Sequence, residues 1–219
     1  MPANLTVHTP MGAVQTISGN TPLTAAMPEL AGQTFLLGIP VQLSTTGFIQ
    51  RWDGTTVAAG IAGITLQPGS NLNINGRGTP GWFSQVGPPA AIQTYGAVVN
   101  QPPAYNIAVG APPTDGRNYF ERAVSDTIFE GQFDNSAGSV AADYAPTLLD
   151  IGKEYGITFD ANGTAYVDKA KAVSGTSTVL KITGINPVDA VQDGTPNTWI
   201  MNARVRFVVL PSAQQLYGG

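Results

Sequence analysis

The sequence predicts a mostly-β protein: a small barrel of short strands with an extended N-terminal arm, long Pro- and Gly-rich loops and one short helix. Three observations carry this. Short apolar runs alternate with turn residues roughly every six to ten positions, the texture of a barrel or sandwich. The chain holds 26 glycines and 17 prolines, which deny most segments the uninterrupted turns a helix needs. Asp53-Gly54 and Asn162-Gly163 are hairpin signals, because glycine accepts the positive φ a tight turn requires.

Residues 1–31 read as the arm. Pro2, Pro10, Pro22 and Pro28 break any helix longer than about two turns. A short strand is expected over Gly12–Ile17. Leu5, Val7, Met11, Val14, Ile17, Leu23 and Met27 make the arm too apolar for a free tail. It either wraps its own domain or reaches a neighbouring chain, and on the second reading these residues form an interface.

Residues 32–118 read as a Gly- and Pro-rich β region. Val41 and Leu43 lie on one side of a Ser-Thr-Thr-Gly turn and Phe48 and Ile49 on the other. The run Gly60–Thr65, GIAGIT, puts small residues where backbones approach closely. From 67 to 118 three Pro-Pro pairs favour rigid extended loops. So long a loop region inside a compact domain marks a functional surface or one ordered by a partner.

Residues 119–219 read as a more regular β domain. A pair of strands is expected within Glu121–Asp134. A short helix is expected near 146–154, with Pro146 in its first turn and Gly152 or Gly156 at its end. A hairpin follows about Asn162-Gly163. Val179–Ile185 is a strand of alternating faces. The last strand sets Arg204 and Arg206 against Ala203, Val205 and Phe207, and Pro211 ends it.

Charge divides the chain unevenly. Up to residue 114 the charged side chains are Glu29, Arg51, Asp53 and Arg77, whereas the whole chain has 10 basic and 14 acidic residues. A free surface ordinarily carries interspersed charge. The front half therefore has either a neutral polar surface or an extensive protein interface, and the interface is preferred. Trp52, Trp82 and Tyr95 of this half join the arm residues as candidates for it.

Several function classes are excluded or disfavoured. Without cysteine there is no disulfide, thiol catalysis or cysteine zinc site. A net charge of −4 and a pI near 4.7 argue against nucleic acid as a partner. No apolar run approaches the roughly 20 residues of a membrane helix, and the N-terminus lacks the pattern of a signal peptide. The sole histidine, His8, has nothing in the sequence to orient it as the base of a triad and reads as an incidental polar residue. Asp126, Glu130 and Asp134 would share one strand face, and Asp150 and Glu154 one helix face, but neither set implies a cleft. The Asp160–Asp168 run fails the calcium-loop pattern, with Gly163 fourth and Lys171 twelfth. No catalytic, metal-binding or cofactor-binding residue is expected.

Read in order, Gly152, Lys153, Tyr155, Gly156, Ile157 and Thr158, then Asn162-Gly163, then Tyr166, Val167 and Asp168, then Ile182, Gly184 and Ile185 give the back half a resemblance to the capsid decoration, or cement, proteins of tailed bacteriophages. The resemblance covers about half the chain. It implies a β-tulip-like domain over 119–219 and a non-enzymatic structural virion protein without cofactors. Its partner would be the major capsid protein, on the outer surface of the capsid, where it would bridge neighbouring subunits as a homo-oligomer, a trimer ahead of a dimer. The Pro-rich segment 67–118 departs from the compact decoration domains. A second reading is a carbohydrate- or receptor-binding module of a head fibre or tail, using Trp52, Trp82 and Tyr95.

Overall fold

A computed structural model describes residues 8–28, 35–45, 47–54, 60–66, 117–172, 178–190 and 199–215. Leu5, Val7, Trp82, Tyr95 and nearly all of the Pro-rich segment lie outside these. The described strands are β1 (Gly12–Thr16), β2 (Thr24–Pro28), β3 (Pro40–Leu43), β4 (Ile49–Arg51), β5 (Gly63–Thr65), β6 (Arg117–Arg122), β7 (Thr127–Asp134), β8 (Glu154–Phe159), β9 (Ala165–Asp168), β10 (Leu180–Ile185) and β11 (Arg204–Val209). The protein is mostly β, as its sequence predicts.

Five strands close on themselves. β7 pairs with β11, β11 with β10, β10 with β8 and β8 with β9, all antiparallel. β9 then returns to β7 in parallel through Phe133–Val167 and Asp134–Asp168, completing a small barrel. β1 extends this sheet along the N-terminal half of the same β7 edge, from Glu130 to Thr127. Closure leaves fewer unpaired backbone groups than an open sheet would. The remaining strands form a second sheet in the order β2-β6-β5-β3-β4.

The alternation read in the sequence sets the barrel interior. Along β11, Val205, Phe207 and Val209 are buried while Arg204, Arg206 and Val208 are partly exposed. β10 buries Leu180 and Ile182, then slips register between Ile182 and Gly184, and Ile185 returns to the interior. Phe129 stacks on Phe207 at 5.9 Å, and Phe133 meets the Tyr155 ring edge-on at 5.6 Å. Burying each large side chain of this kind is worth about 1.5–3 kcal/mol, so the interior supplies the main cohesion. The core continues without a break into the second sheet through Val41, Ile49, Trp52, Ile61, Ile64 and Phe120.

Two hydrogen-bonded seams join the sheets. On one side the Met11 N–H donates to the Gly38 carbonyl at 3.1 Å, and the Ala13 N–H donates to Glu121 Oε2 at 2.5 Å. On the other, the chain returning after β11 bonds Ile61 through Ala213 and Gln215, and the Gln215 side chain bonds both backbone groups of Leu43. Gly63 lets β5 and β6 lie close: a Cβ there would fall 2.1 Å from the Glu121 carbonyl oxygen.

The structure takes one of the two readings of the arm and departs from the sequence reading in three further places. The strands of the arm pair within the chain, β1 on β7 and β2 on β6. The two strands of Glu121–Asp134 belong to different sheets, because the turn at Val124–Thr127 carries the chain from one to the other. The expected boundary at residue 118 falls inside β6, which sits with β2 to β5. The helix near 146–154 reduces to a three-residue 3₁₀ turn, Leu148–Asp150. Its Asp150 carboxylate turns back to accept from the Thr147 N–H at 2.7 Å and hydroxyl at 2.9 Å, and Gly152 at φ +87° ends it. Asp150 and Glu154 therefore share no helix face; Asp150 is buried and Glu154 opens β8.

Candidate interaction surface and the histidine clamp

The charge-poor half supplies most of the second sheet, and some of its exposed residues are apolar. The register that sets Thr65 opposite Phe120 continues with the Leu66 N–H donating to the Tyr119 carbonyl at 2.8 Å. Ala26 lies opposite Tyr119 on the other side. Opposed residues of antiparallel strands share a face, so Leu66, Tyr119 and Ala26 form one row. Tyr119 is 51% exposed and Leu66 41%. Leu36 and Leu37, 36% and 41% exposed, precede β3; the Leu36 carbonyl accepts from the Thr65 hydroxyl at 3.1 Å, on the face of β5 opposite to Leu66. Exposed apolar side chains of this size suit a protein contact.

The candidates named from sequence divide. Val14, Ile17 and Leu23 are exposed, Ile17 the most at 65%. Met27 is partly buried against the chain's own core. Met11 and Trp52 are 3% and 2% exposed and belong to that core, which corrects their assignment to an outer surface. Met11 fills the space above Gly131, and Trp52 packs beside Gly54. The sequence reading took low charge as a mark of exposure to a partner, but low charge marks a core equally well. With Trp52 inside, the aromatic set for a glycan site loses one of its three members. Leu36, Leu37, Leu66 and Tyr119 are not singled out by the sequence: the leucines flank strands, Tyr119 lies within β6, and no periodicity marks them.

The residue most misread from sequence is His8. Its ring is fully buried between two carboxylates, with Nε2 2.8 Å from Asp134 Oδ2 and Nδ1 3.1 Å from Asp160 Oδ2. Tyr166 stacks on it with ring centroids 4.2 Å apart and planes inclined by 14°. The His8 N–H donates to the same Asp160 oxygen at 3.0 Å. Asp160 also caps the Asn162-Gly163 turn, its Oδ1 accepting from the N–H groups of Asn162 and Thr164, both at 2.9 Å. Burial works against ionisation of Asp160, but the Thr164, His8 and Asn162 donors outweigh it and hold its carboxyl below the ordinary range. The run read as a failed calcium loop is thus a hairpin whose aspartate secures the N-terminal segment.

The surrounding polar groups are also engaged. Asp168 accepts from the Ser136 N–H and hydroxyl, the Thr158 hydroxyl and the Ala170 N–H. Asp150 accepts from the Tyr155 hydroxyl at 2.5 Å, and burial together with that bond pushes the tyrosine well above its ordinary value. Outside the barrel, Arg204 makes a forked pair with Asp189 and reaches Glu130 at 3.2 Å. The hydrogen bond from Arg204 is the main reason the Asp189 carboxyl lies low. Both nitrogens of His8 face carboxylates, which leaves neither for a nucleophile's proton. The arrangement clamps a segment in place.

The chain matches no protein-family model, no curated protein and no solved structure.

Proposed function

We propose that the chain is a structural protein of a tailed-phage head that binds the outer surface of the assembled capsid, bridges neighbouring major capsid subunits and does so without chemistry of its own. The observation that carries the reading is the set of exposed apolar residues Leu36, Leu37, Leu66 and Tyr119, on or beside a sheet drawn mainly from the charge-poor half. Burying the remaining exposed area of the four larger side chains is worth roughly 2–6 kcal/mol per copy. A homo-oligomer engaging several capsid subunits at once multiplies such modest contacts through effective concentration. Tyr119 adds a hydroxyl that bonds at the rim while its ring is covered.

The test mixes the purified protein with undecorated heads and measures saturable co-sedimentation. Leu66→Asp with Tyr119→Asp places two charges in the row and is expected to lower affinity at least about 100-fold, near 3 kcal/mol. Urea unfolding of the double variant should stay within about 1 kcal/mol of the parent, since both residues are exposed. Equal binding by parent and variant moves the contact to another face. Failure of the parent to sediment with heads removes the capsid reading.

A further inference from the structure

We propose that His8 is a protonation-dependent latch: with a proton on each ring nitrogen it bridges Asp134 and Asp160 and fastens residues 8–10 to the barrel, and loss of either proton releases them. The inference is independent of the capsid reading.

The argument is one of donors and acceptors. An ionised carboxylate only accepts, and a neutral imidazole has one N–H and one lone pair. Both ring nitrogens sit at hydrogen-bond distance from carboxylate oxygens, and the three side chains are 0–3% exposed. A neutral ring would set a bare nitrogen against an oxygen lone pair in a site closed to solvent. With two ring protons both contacts are hydrogen bonds, and one positive charge stands between two negative ones. Removing a proton leaves two buried carboxylates with no cation between them, which low dielectric penalises.

The groups facing the ring are known from each element packed on it. β7 supplies Asp134, the β8–β9 turn supplies Asp160, and β9 supplies Tyr166 and, one layer on, Asp168. Burial, then the fields of Asp168, Asp134 and Asp160, keep the Tyr166 hydroxyl protonated, so its stacked ring offers a neutral π face to a cation. Arg51 approaches the same turn at Gly163 but lies over the Phe159 ring, 3.9 Å from its centroid.

The segment depends on this clamp because it precedes β1 and has no strand ladder. Its other ties are the Thr9 N–H to Gln132 Oε1 at 2.6 Å and the Met11 N–H to the Gly38 carbonyl. Opening would free residues 8–10 while β1 stays paired on β7.

The experiment uses the full ¹⁵N-labelled chain. With a single histidine in the sequence, one ring gives all the imidazole signals. Where both ring nitrogens resonate as protonated, the amides of His8 and Thr9 should be protected from exchange. As rising pH removes one ring proton, their protection factors should fall at least about tenfold while those of β7 hold. Asp134→Asn supplies the control. Its Oδ1 can still accept from the Asn135 N–H, a 2.7 Å bond in the parent, while its amide N–H donates to the bare Nε2. Protection in this variant should persist after the ring becomes neutral. A parent whose folded ring never carries both protons, or whose amides stay protected after the ring loses a proton, overturns the latch. So does a folded Asp134→Asn variant that opens with the same pH dependence as the parent. If that variant does not fold, the parent titration alone decides.

Discussion

Met11→Ala separates the two accounts of the arm, the one in which it serves a neighbour and the one in which it completes its own fold. Met11 stands before β1 at 3% exposure. A Cβ built on Gly131 would lie 2.9 Å from Met11 Cγ, 3.2 Å from its Cε and 3.4 Å from Phe207 Cε1, so the methionine occupies the space the glycine leaves open beside the Phe207 ring. Truncating a buried methionine costs about 2–5 kcal/mol, depending on how far the surroundings collapse into the void. Collapse is limited here. Gly131 has no side chain to move inward, and Phe207 is held by its stack on Phe129. We therefore expect about 3–4 kcal/mol, a large share of the roughly 5–15 kcal/mol that stabilises a domain. Urea unfolding followed by tryptophan fluorescence should show a lower midpoint at unchanged slope. A loss under about 0.5 kcal/mol, the range of an ordinary surface change, would refute the reasoning and return Met11 to an outer interface. Deleting residues 2–28 should agree with the point substitution. It removes β1 and β2 together and is expected to unfold the chain rather than leave a shortened domain.

Gly63→Ala should lower the melting temperature and cost at least about 1–3 kcal/mol, because the new methyl would meet the Glu121 carbonyl and the Phe120 ring; a neutral result would mean that β5 and β6 separate freely. Tyr155→Phe leaves the buried Asp150 carboxylate short of a donor and should cost about 1.5–3 kcal/mol, read by denaturant midpoint. Asp150 and Asp160 are both held below the ordinary carboxylate value near 3.9. Their contribution to stability is therefore present above that value and lost as pH falls through the folded-state values. The urea midpoint should decline below about pH 4 as these carboxylates are protonated, with a shallower decline in Asp150→Asn. Binding to heads, if carried by the apolar row, should survive about 1 M NaCl, where the Debye length is about 3 Å, and tighten in sulfate. A tenfold or larger loss would place the charged half, with Arg204 and Arg206, against the capsid.

The legible parts of the fold were those fixed by neighbours in sequence. Asn162-Gly163 turns the chain between β8 and β9, with Gly163 at φ +85°. The Ser44–Gly47 turn joins β3 to β4. β10 and β11 show their inner faces through simple alternation. The illegible parts depend on residues that meet only in space. His8 seemed unoriented because its partners are 126 and 152 positions away. Met11 and Trp52 could not be told from interface residues, since an apolar side chain in a charge-poor stretch suits either place. The 3₁₀ turn at Leu148–Asp150 was read as a helix because Pro146 and Gly152 suit helix ends, while the competing bonds of Asp150 have no periodic signature.

The shared edge of β7 also governs the order in which the molecule can be assembled during synthesis. β1 is made well before the strand it pairs with, which ends at Asp134, and His8 must wait 126 residues for that carboxylate. At roughly 5–20 residues per second this is a delay of roughly 6–25 seconds. Throughout it Met11, Val14 and Ile17 have no sheet to join. The barrel then lacks β11 until Arg204–Val209 has been translated, because β11 links β7 to β10. Closure is therefore a late, long-range step, slow by the rule that distant contacts delay folding. β1 is stitched into place only after β7, more than a hundred residues later, has been translated.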